Sequence, residues 1–493
     1  MSSPHSQKLT KREKFGYSLG DGSANFVFQV LLWYQQPFFL EVFGLGPTVL
    51  FWLLLGGRFF DAITDPLMGI IADRTKTRWG KFRPWILWSA FPFAGVFWLT
   101  FTKPDLGPSG LLAYAVICYL LLMAVYTMNN VPYAALAGVV SADPDERTSI
   151  QQWRFFAAMS AAFVVQTFTV PWVAKFGQGD DAKGWSVTIG IFAAVSIVFF
   201  VITFLSTRER VRPSKPSRVR DDISDIKGNR PWVILFFVTL FIFITLSFRG
   251  GPIYFLMKEY MNSDGMLAFT NAFGLVAPAA GELSYFHKIL DTIGLLVQPD
   301  RSNAVAVGIG MFGMTGNIVT LIGVILSKPL IHAFGKKNMF IGCLTGTSIV
   351  TASIFLVQPD DIWLLFWLSM LWPATYGPTI PVLWVMIADT ADYSEWKNER
   401  RATGFVFAGI VFALKAGLAL GGAFSAQIMA WHGFEAGIGT EERNFAIKIT
   451  GTLYSAIPFA IAVGFLCFYP IGRKLNEEML RALAERRKQL KTE

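Results

Sequence analysis

Apolar runs of about 20 residues alternate with short charged segments along the whole chain. A run of that length crosses the roughly 30 Å hydrocarbon core of a bilayer as an α-helix. The pattern is therefore typical of a polytopic helical membrane protein. Twelve membrane-spanning helices are predicted, with approximate limits 15–42, 47–72, 84–103, 110–140, 150–176, 185–206, 231–257, 303–333, 338–357, 361–390, 402–432 and 445–470.

The charged breaks between these spans fall into two classes that alternate along the chain. One class contains most of the 43 Lys and Arg, and its members are 8–14, 73–84, 207–230, 336–337, 397–401 and the tail after residue 470. Because basic loops remain on the cytoplasmic side of a membrane, we expect both termini in the cytoplasm. This makes the chain an integral protein of a plasma membrane, the inner membrane in a bacterium, with the lipid bilayer as a partner.

The long basic stretch 207–230 divides the twelve spans into six and six. This division predicts an N-terminal six-helix bundle (1–206), a cytoplasmic linker (207–230), a C-terminal six-helix bundle (231–470) and a cytoplasmic tail (471–493). An extracellular insertion, 258–302, interrupts the second bundle and contains the amphipathic stretch LSYFHKILDTIGLLV. It is predicted to be either a helix on the membrane surface or a folded loop, and no chemistry is assigned to it.

Composition and motifs exclude several other classes of protein. Charged residues make up 16% of the chain, against about 25% in soluble proteins. The net charge of +9 comes from residues that flank membrane spans, so we expect no nucleic-acid partner. The three cysteines lie in apolar runs, which argues against a disulfide framework or a metal cluster. We find no HExxH, GxSxG or phosphate-binding GK[ST] motif, so we expect neither an enzyme nor a cofactor.

Two aspartates lie four residues apart inside the second span, in the sequence RFFDAITDPLMG. A carboxylate at the centre of a bilayer costs about 2.5–3.5 kcal/mol on insertion scales, so such groups persist mainly where they line a pathway or bind a ligand. The spacing places Asp61 and Asp65 on one helix face, and Thr64 adds a hydroxyl. These oxygen atoms suit a hard cation such as Na⁺, or one carboxylate can accept a proton.

Other polar and aromatic side chains within the spans are weaker candidates. Arg58 lies one turn before Asp61 and can neutralise it. Thr127 and Asn130 lie near the kink predicted at Pro132, where hydrogen bonding between helices is an equally good explanation. The remaining candidates for contact with a ligand are Asn25, Arg154, Arg249, Lys415 and Trp384, the last as a ring that could stack on a sugar.

Three segments together resemble one family of transporters. They are DAITDPLMGIIADRTKTRWGKFRPW, NNVPYAAL and IADTADYSEWKNERRATGFVFAGIVFALKAG. The chain resembles the glycoside–pentoside–hexuronide:cation symporters, the group of the melibiose and glucuronide permeases, from the first span through the twelfth except for 258–302. The resemblance implies an all-α membrane protein with the major facilitator fold, twelve transmembrane helices in two six-helix bundles. It also implies import of a sugar or glycoside together with Na⁺ or H⁺. We expect a functional monomer.

The resemblance also implies roles for individual residues. It places Asp61, Thr64, Asp65 and Thr127 in the cation site, with Asp61 and Asp65 as metal ligands if the ion is Na⁺. Arg154 and Lys415 match basic positions of the family. Asn25, Asn130 and Ala134 depart from the melibiose permease, which argues against an α-galactoside and leaves neutral and anionic sugars open. The remaining alternatives are a Na⁺-coupled transporter of lysolipids or other amphiphiles with the same fold and, more remotely, a membrane enzyme or receptor.

Overall fold

The computed structural model describes residues 8–141, 143–210, 228–279, 282–398, 403–434 and 439–492. These residues are helical apart from short connections, and the only β-pairing among them is two isolated bridges, Thr77 with Gly80 and Val276 with Val297. Most of the linker predicted at 207–230 lies outside the described residues.

Six helices occupy the predicted spans of the N-terminal half. They are α1 Lys11–Pro37, α2 Pro47–Arg74, α3 Arg83–Thr100, α4 Pro108–Val140, α5 Pro144–Gly177 and α6 Asp181–Ser206. A π-helical turn, Phe38–Val42, extends α1 to the predicted limit of its span. Pro residues stand in the first turn of α2, α3 and α4, where a missing N–H removes no helical hydrogen bond.

Eleven further helices follow among the described residues. They are α7 Arg230–Phe255, α8 Ser263–Ala272, α9 Tyr285–Ile293, α10 Ala304–Phe334, α11 Lys336–Ser353, α12 Ile362–Tyr376, α13 Thr379–Asn398, α14 Thr403–Trp431, α15 Glu441–Ile449, α16 Ser455–Cys467 and α17 Arg473–Thr492. The predicted span 361–390 contains two helices, α12 and α13, which meet at Gly377 and Pro378. A π-helical turn, Thr450–Tyr454, joins α15 to α16.

Eight of the described helical segments are long and apolar enough to cross a membrane. They comprise α4, α5, α6, α7, α10, α11, α14 and the continuous α15–α16 segment. The other predicted spans are helical as well, as α1, α2, α3 and the α12–α13 pair. The prediction of an all-α integral membrane protein is confirmed.

The chain divides into two compact units. The described residues of Met1–Ser214 and Met266–Met314 form the first unit, and those of Lys215–Gly265 and Thr315–Glu493 form the second. The part of the predicted insertion that belongs to the first unit, 266–302, is folded against α5. The indole Nε1 of Trp172 donates a hydrogen bond to the Ile293 carbonyl at 2.8 Å, and Val297 bonds to Leu275 and Ala277 through the backbone.

Small residues bring helices close together in both units. In the second unit, two glycines of α14 face the backbone of α7. A Cβ at Gly417 would lie 2.4 Å from the Leu240 carbonyl oxygen, and a Cβ at Gly421 would lie 2.2 Å from the Ile244 carbonyl oxygen. Helices in a membrane associate through such backbone contact. The contact fixes α14 against α7, the two helices that carry Lys415 and Arg249.

Candidate cation and substrate site

Asp61 is paired within its own helix. Its side chain is buried, with 7% of the residue exposed, and Arg58 Nη1 lies 3.2 Å from its Oδ2. The spacing of three residues places the two groups on neighbouring positions of the α2 surface. The expectation that Arg58 neutralises this carboxylate is confirmed.

Asp65 contacts the neighbouring helix α4. The hydroxyl of Thr127 donates a hydrogen bond to Asp65 Oδ1 at 2.8 Å. The two helices come close because Gly57 has no side chain, and a Cβ there would lie 2.4 Å from the Tyr119 ring. Two residues predicted to belong to one cation site are therefore in direct contact.

Thr64 lies between the two aspartates in sequence but bonds to its own helix. Its hydroxyl donates to the Phe60 carbonyl at 3.0 Å, so its oxygen lone pairs remain available as acceptors. No group of three or more His, Cys, Asp and Glu that could hold a metal occurs in the described part of the chain. A cation at Asp61 and Asp65 would therefore need hydroxyl or carbonyl oxygens to complete its coordination.

Sequence reasoning missed Asp21 on α1. Arg154 Nη2 of α5 lies 2.8 Å from Asp21 Oδ1, and the Asn25 amide donates to the Asp21 carbonyl at 2.8 Å. The signal was present, because Asp21 is a carboxylate inside a predicted span and qualifies by the rule that selected Asp61. The predicted residues Arg154 and Asn25 thus lie in one cluster organised by Asp21.

A pair of tyrosines supports Arg154. Tyr17 and Tyr133 stack with ring centroids 4.8 Å apart, and each hydroxyl donates to the other residue's carbonyl, at 3.1 and 2.7 Å. The Arg154 guanidinium carbon lies 5.1 Å from the centre of the Tyr133 ring, a cation–π contact. This ring, one residue after Pro132, fixes the position of the guanidinium beside Asp21.

The asparagines of α4 separate into a structural and a candidate binding residue. Asn129 is fully buried and its amide donates to Ser89 Oγ of α3 at 2.7 Å. The amide nitrogen of Asn130 is buried and has no hydrogen-bond partner among the described residues. Asn129 therefore connects two helices, although its Oδ1 is also without a hydrogen-bond partner among the described residues, whereas the Asn130 donor, which lies near the Tyr126 side chain, is a candidate for a ligand contact.

The other three predicted residues belong to the second unit. The Arg249 guanidinium carbon of α7 lies 4.4 Å from the centre of the Trp372 ring of α12, a residue that sequence reasoning did not select. Trp384 of α13 is exposed and its ring is nearly parallel to Phe407, with centroids 6.4 Å apart. Lys415 of α14 is half-buried.

Comparison with known proteins identifies the family. The model of the MFS/sugar transport protein family matches residues 16–294 and 302–473. The putative glycoside/cation symporter YagG of Escherichia coli (strain K12) is 32% identical over 483 residues, which cover 97% of this chain and 95% of YagG. The isoprimeverose transporter of Lactiplantibacillus pentosus is 28% identical, with 98% of this chain and 94% of the relative covered.

The fold has a solved counterpart as well. A bacterial homolog of the human lysosomal transporter Spinster, in an inward-facing and unoccupied conformation, aligns with a TM-score of 0.60 at 13% identity and covers 96% of this chain and 97% of that one. At such identity the likeness concerns the fold alone, and it confirms the major facilitator fold. Together with the match over nearly the whole chain, these findings show that the protein is a membrane transporter, not an enzyme, and belongs to the MFS/sugar transport protein family.

Proposed function

We propose that the protein imports a sugar or glycoside in symport with Na⁺ or H⁺ by alternating access. The observation that carries this proposal is the hydrogen bond from Thr127 to Asp65 Oδ1 at 2.8 Å. It joins the helix with the acidic pair to the helix with Asn130, a candidate for substrate binding. The similarity to a glycoside/cation symporter and to an isoprimeverose transporter supports the same class of cargo.

The carboxylates of α2 suit a monovalent cation. Asp61 and Asp65 carry two negative charges, and Arg58, paired with Asp61 at 3.2 Å, compensates one of them. Asp65 accepts the hydrogen bond from Thr127, and a carboxylate inside a membrane is stabilised when a cation or a proton neutralises it. Na⁺ would be held by Asp65 and Asp61 with hydroxyl oxygens of Thr64 and Thr127, whereas a proton needs Asp65 alone.

Coupling between cation and sugar would pass through α4. Thr127 and Asn130 are three residues apart and therefore neighbours on the helix surface. An ion that draws Asp65 and Thr127 together fixes α4 and thereby the position of the Asn130 amide. Because linkage is reciprocal, the sugar must raise the affinity for the cation by the same factor.

Polar groups of the first unit are well suited to hydroxyl recognition. Asp21 is an acceptor, Arg154 and Asn130 are donors, and a sugar presents hydroxyls that both donate and accept. In the second unit, the ring of Trp384 is a candidate for stacking against a pyranose face, and Lys415 remains a candidate polar contact. A lysolipid needs a long apolar groove, and these half-buried polar groups favour a polyhydroxylated solute over it.

We also propose the inner membrane of a bacterium as the location, with both termini in the cytoplasm. The support is the concentration of Lys and Arg in alternate loops, which sets the orientation of helical membrane proteins. We propose that one chain transports on its own, since each major facilitator transporter fold contains both of its bundles.

Counterflow in proteoliposomes tests the proposal. Vesicles preloaded with each sugar of a panel of pentosides, hexosides and hexuronides receive the labelled sugar outside, with and without Na⁺ and at several pH values. We expect cation-dependent exchange of at least one sugar by the wild type and its loss in Asp65→Asn. Asp105→Asn, which removes an exposed carboxylate outside the site, is the matched control and should behave as wild type. Exchange of lysolipid but no sugar would contradict the proposed cargo.

A further inference from the structure

We infer that Arg249 of α7 binds a carboxylate of the transported solute, so that the substrate class is an acidic sugar or glycoside. The inference rests on the proposed transport function and assigns a role to one residue of the second unit. It depends on the environment of the Arg249 side chain within that unit.

Arg249 is a buried cation that has no anionic partner among the residues the structure describes. Only 5% of the residue is exposed, and its side chain forms no ion pair or hydrogen bond within the described part of the chain. Its Nε and Nη1 atoms are both buried without a hydrogen-bond partner among those residues. Buried N–H groups of this kind nearly always have a hydrogen-bond partner in folded proteins. The two unbonded N–H groups of Arg249 therefore mark a place for a hydrogen-bond acceptor.

Comparison with another arginine of the same unit shows how unusual this is. Arg443 is similarly buried, at 8%, but it forms two bonds to Glu259, with Nε–Oε2 at 2.6 Å and Nη2–Oε1 at 2.9 Å. Its remaining Nη1 donates to the Phe434 carbonyl at 2.7 Å. Every side-chain nitrogen of Arg443 is therefore satisfied by the protein, as the cost of a buried charge requires.

The surroundings of Arg249 fix the guanidinium in place. The ring of Trp372 lies 4.4 Å from its central carbon, and the indole Nε1 of Trp372 donates to Thr351 Oγ1 at 3.0 Å. The ring of Tyr376 in turn stacks on the ring of Trp372, with the two ring centroids 4.9 Å apart. The ring covers one side of the guanidinium, which leaves the N–H groups at its edge for a ligand.

The chemistry of this edge selects a carboxylate. The guanidinium presents paired N–H donors in a fixed fork that matches the two oxygens of a carboxylate. A single positive charge balances one negative charge, so a monoanion fits. Thr245 lies one turn earlier on the same helix face, and its buried hydroxyl also has no hydrogen-bond partner among the described residues, so it can donate to the same anion.

Matched pairs of solutes test this inference. Methyl glucuronide and methyl glucoside, and methyl galacturonide and methyl galactoside, differ in having a carboxylate or a hydroxymethyl group at one position. Counterflow is measured for each solute with the wild type, Arg249→Gln and Arg249→Lys. Arg473→Lys, at an exposed arginine of the same unit, serves as a control for changes in arginine chemistry elsewhere. Size-exclusion profiles and thermal melting of each purified variant show whether it folds.

We expect the wild type to prefer the acidic member of a pair. Arg249→Gln should lower the apparent affinity for the acidic member by about 10- to 100-fold, the range for a charged hydrogen bond. The apparent affinity for the neutral member should stay within about twofold of the wild-type value. Arg249→Lys should lie between the two because it keeps the charge but loses the fork. If Arg249→Gln does not fold, Trp372→Phe, which keeps an aromatic ring but loses the bond to Thr351, should show the same selective loss in weaker form.

Three results would overturn the inference. A wild type that carries neutral members as well as acidic ones would refute the substrate class and leave the proposed symport standing. An equal loss of both members in Arg249→Gln would show that the residue is structural. Absence of exchange for every sugar would refute the proposed function itself, and this inference with it.

Discussion

The hydroxyl of Thr127 donates a hydrogen bond to Asp65 Oδ1 at 2.8 Å, so a polar contact connects α2 and α4 at the acidic pair. A hydrogen bond to a charged acceptor contributes about 1.5–3 kcal/mol. It therefore has the strength needed to couple the occupancy of Asp65 to the position of α4.

Removing this hydroxyl tests the coupling. We expect Thr127→Val to raise the cation concentration for half-maximal counterflow by about tenfold or more, because the variant loses a charged hydrogen bond. The apparent affinity for sugar at fixed cation should fall with it. Thr127→Ser, which keeps the hydroxyl, is the control. Unchanged cation dependence in Thr127→Val would show that the contact is only structural.

The ion pair between Arg58 and Asp61 should stabilise the protein mainly by mutual neutralisation. Arg58→Met removes a cation that is paired with a buried carboxylate, and we expect a loss of stability on the order of 1–3 kcal/mol, measured as a lower midpoint in a thermal stability assay. The double variant Arg58→Met/Asp61→Asn removes both charges and should recover most of that loss. A double variant no more stable than Arg58→Met would contradict this account.

Asp21 and Arg154 should determine affinity for the solute and not for the cation. In Asp21→Asn, the Arg154 guanidinium loses its partner at 2.8 Å, and we expect sugar affinity to fall by about tenfold or more. Cation binding in the absence of sugar, followed by titration calorimetry, should stay close to wild type. Loss of cation binding in Asp21→Asn would place this cluster in the cation site instead.

The ion pair between Glu259 and Arg443 should stabilise the structure at the end of α7. Their side chains are 6% and 10% exposed, and breaking a buried pair costs about 3–5 kcal/mol. We therefore expect Arg443→Met to lower the thermal midpoint strongly. Arg473→Met is the control, because its pair with Glu477 is 73% and 54% exposed and such pairs contribute little. Equal thermal midpoints of the two variants would show that the buried ion pair does not stabilise the protein.

Hydrophobic periodicity was sufficient to predict most helices but not their internal breaks. Every predicted span contains helix, because a run of about 20 apolar residues has few other structures in a bilayer. The π-helical turns at Phe38–Val42 and Thr450–Tyr454 escaped prediction, since one extra residue in a turn leaves the pattern almost unchanged. The break between α12 and α13 fell at Gly377–Pro378, where the sequence shows a helix-breaking pair.

The candidate site was likewise predictable from the sequence only in part. The spacing of Asp61 and Asp65 fixes one helix face, and the position of Arg58 predicted its partner correctly. Spacing within one helix cannot show which side chain of another helix is opposite, so the contact with Thr127 followed only from family resemblance. The missing partner of Arg249 and the ring of Trp372 depend on packing between α7 and α12, which no local pattern encodes.

Accumulation against a gradient tests the role of Asp65 most directly. Proteoliposomes with an inward Na⁺ or H⁺ gradient are given a solute that the wild type exchanges, and its internal and external concentrations are compared. We predict that the wild type concentrates the solute inside, and that Asp65→Asn brings it at most to equal concentrations. Accumulation by Asp65→Asn at the wild-type level would contradict the account, as would a wild type that never exceeds equal concentrations.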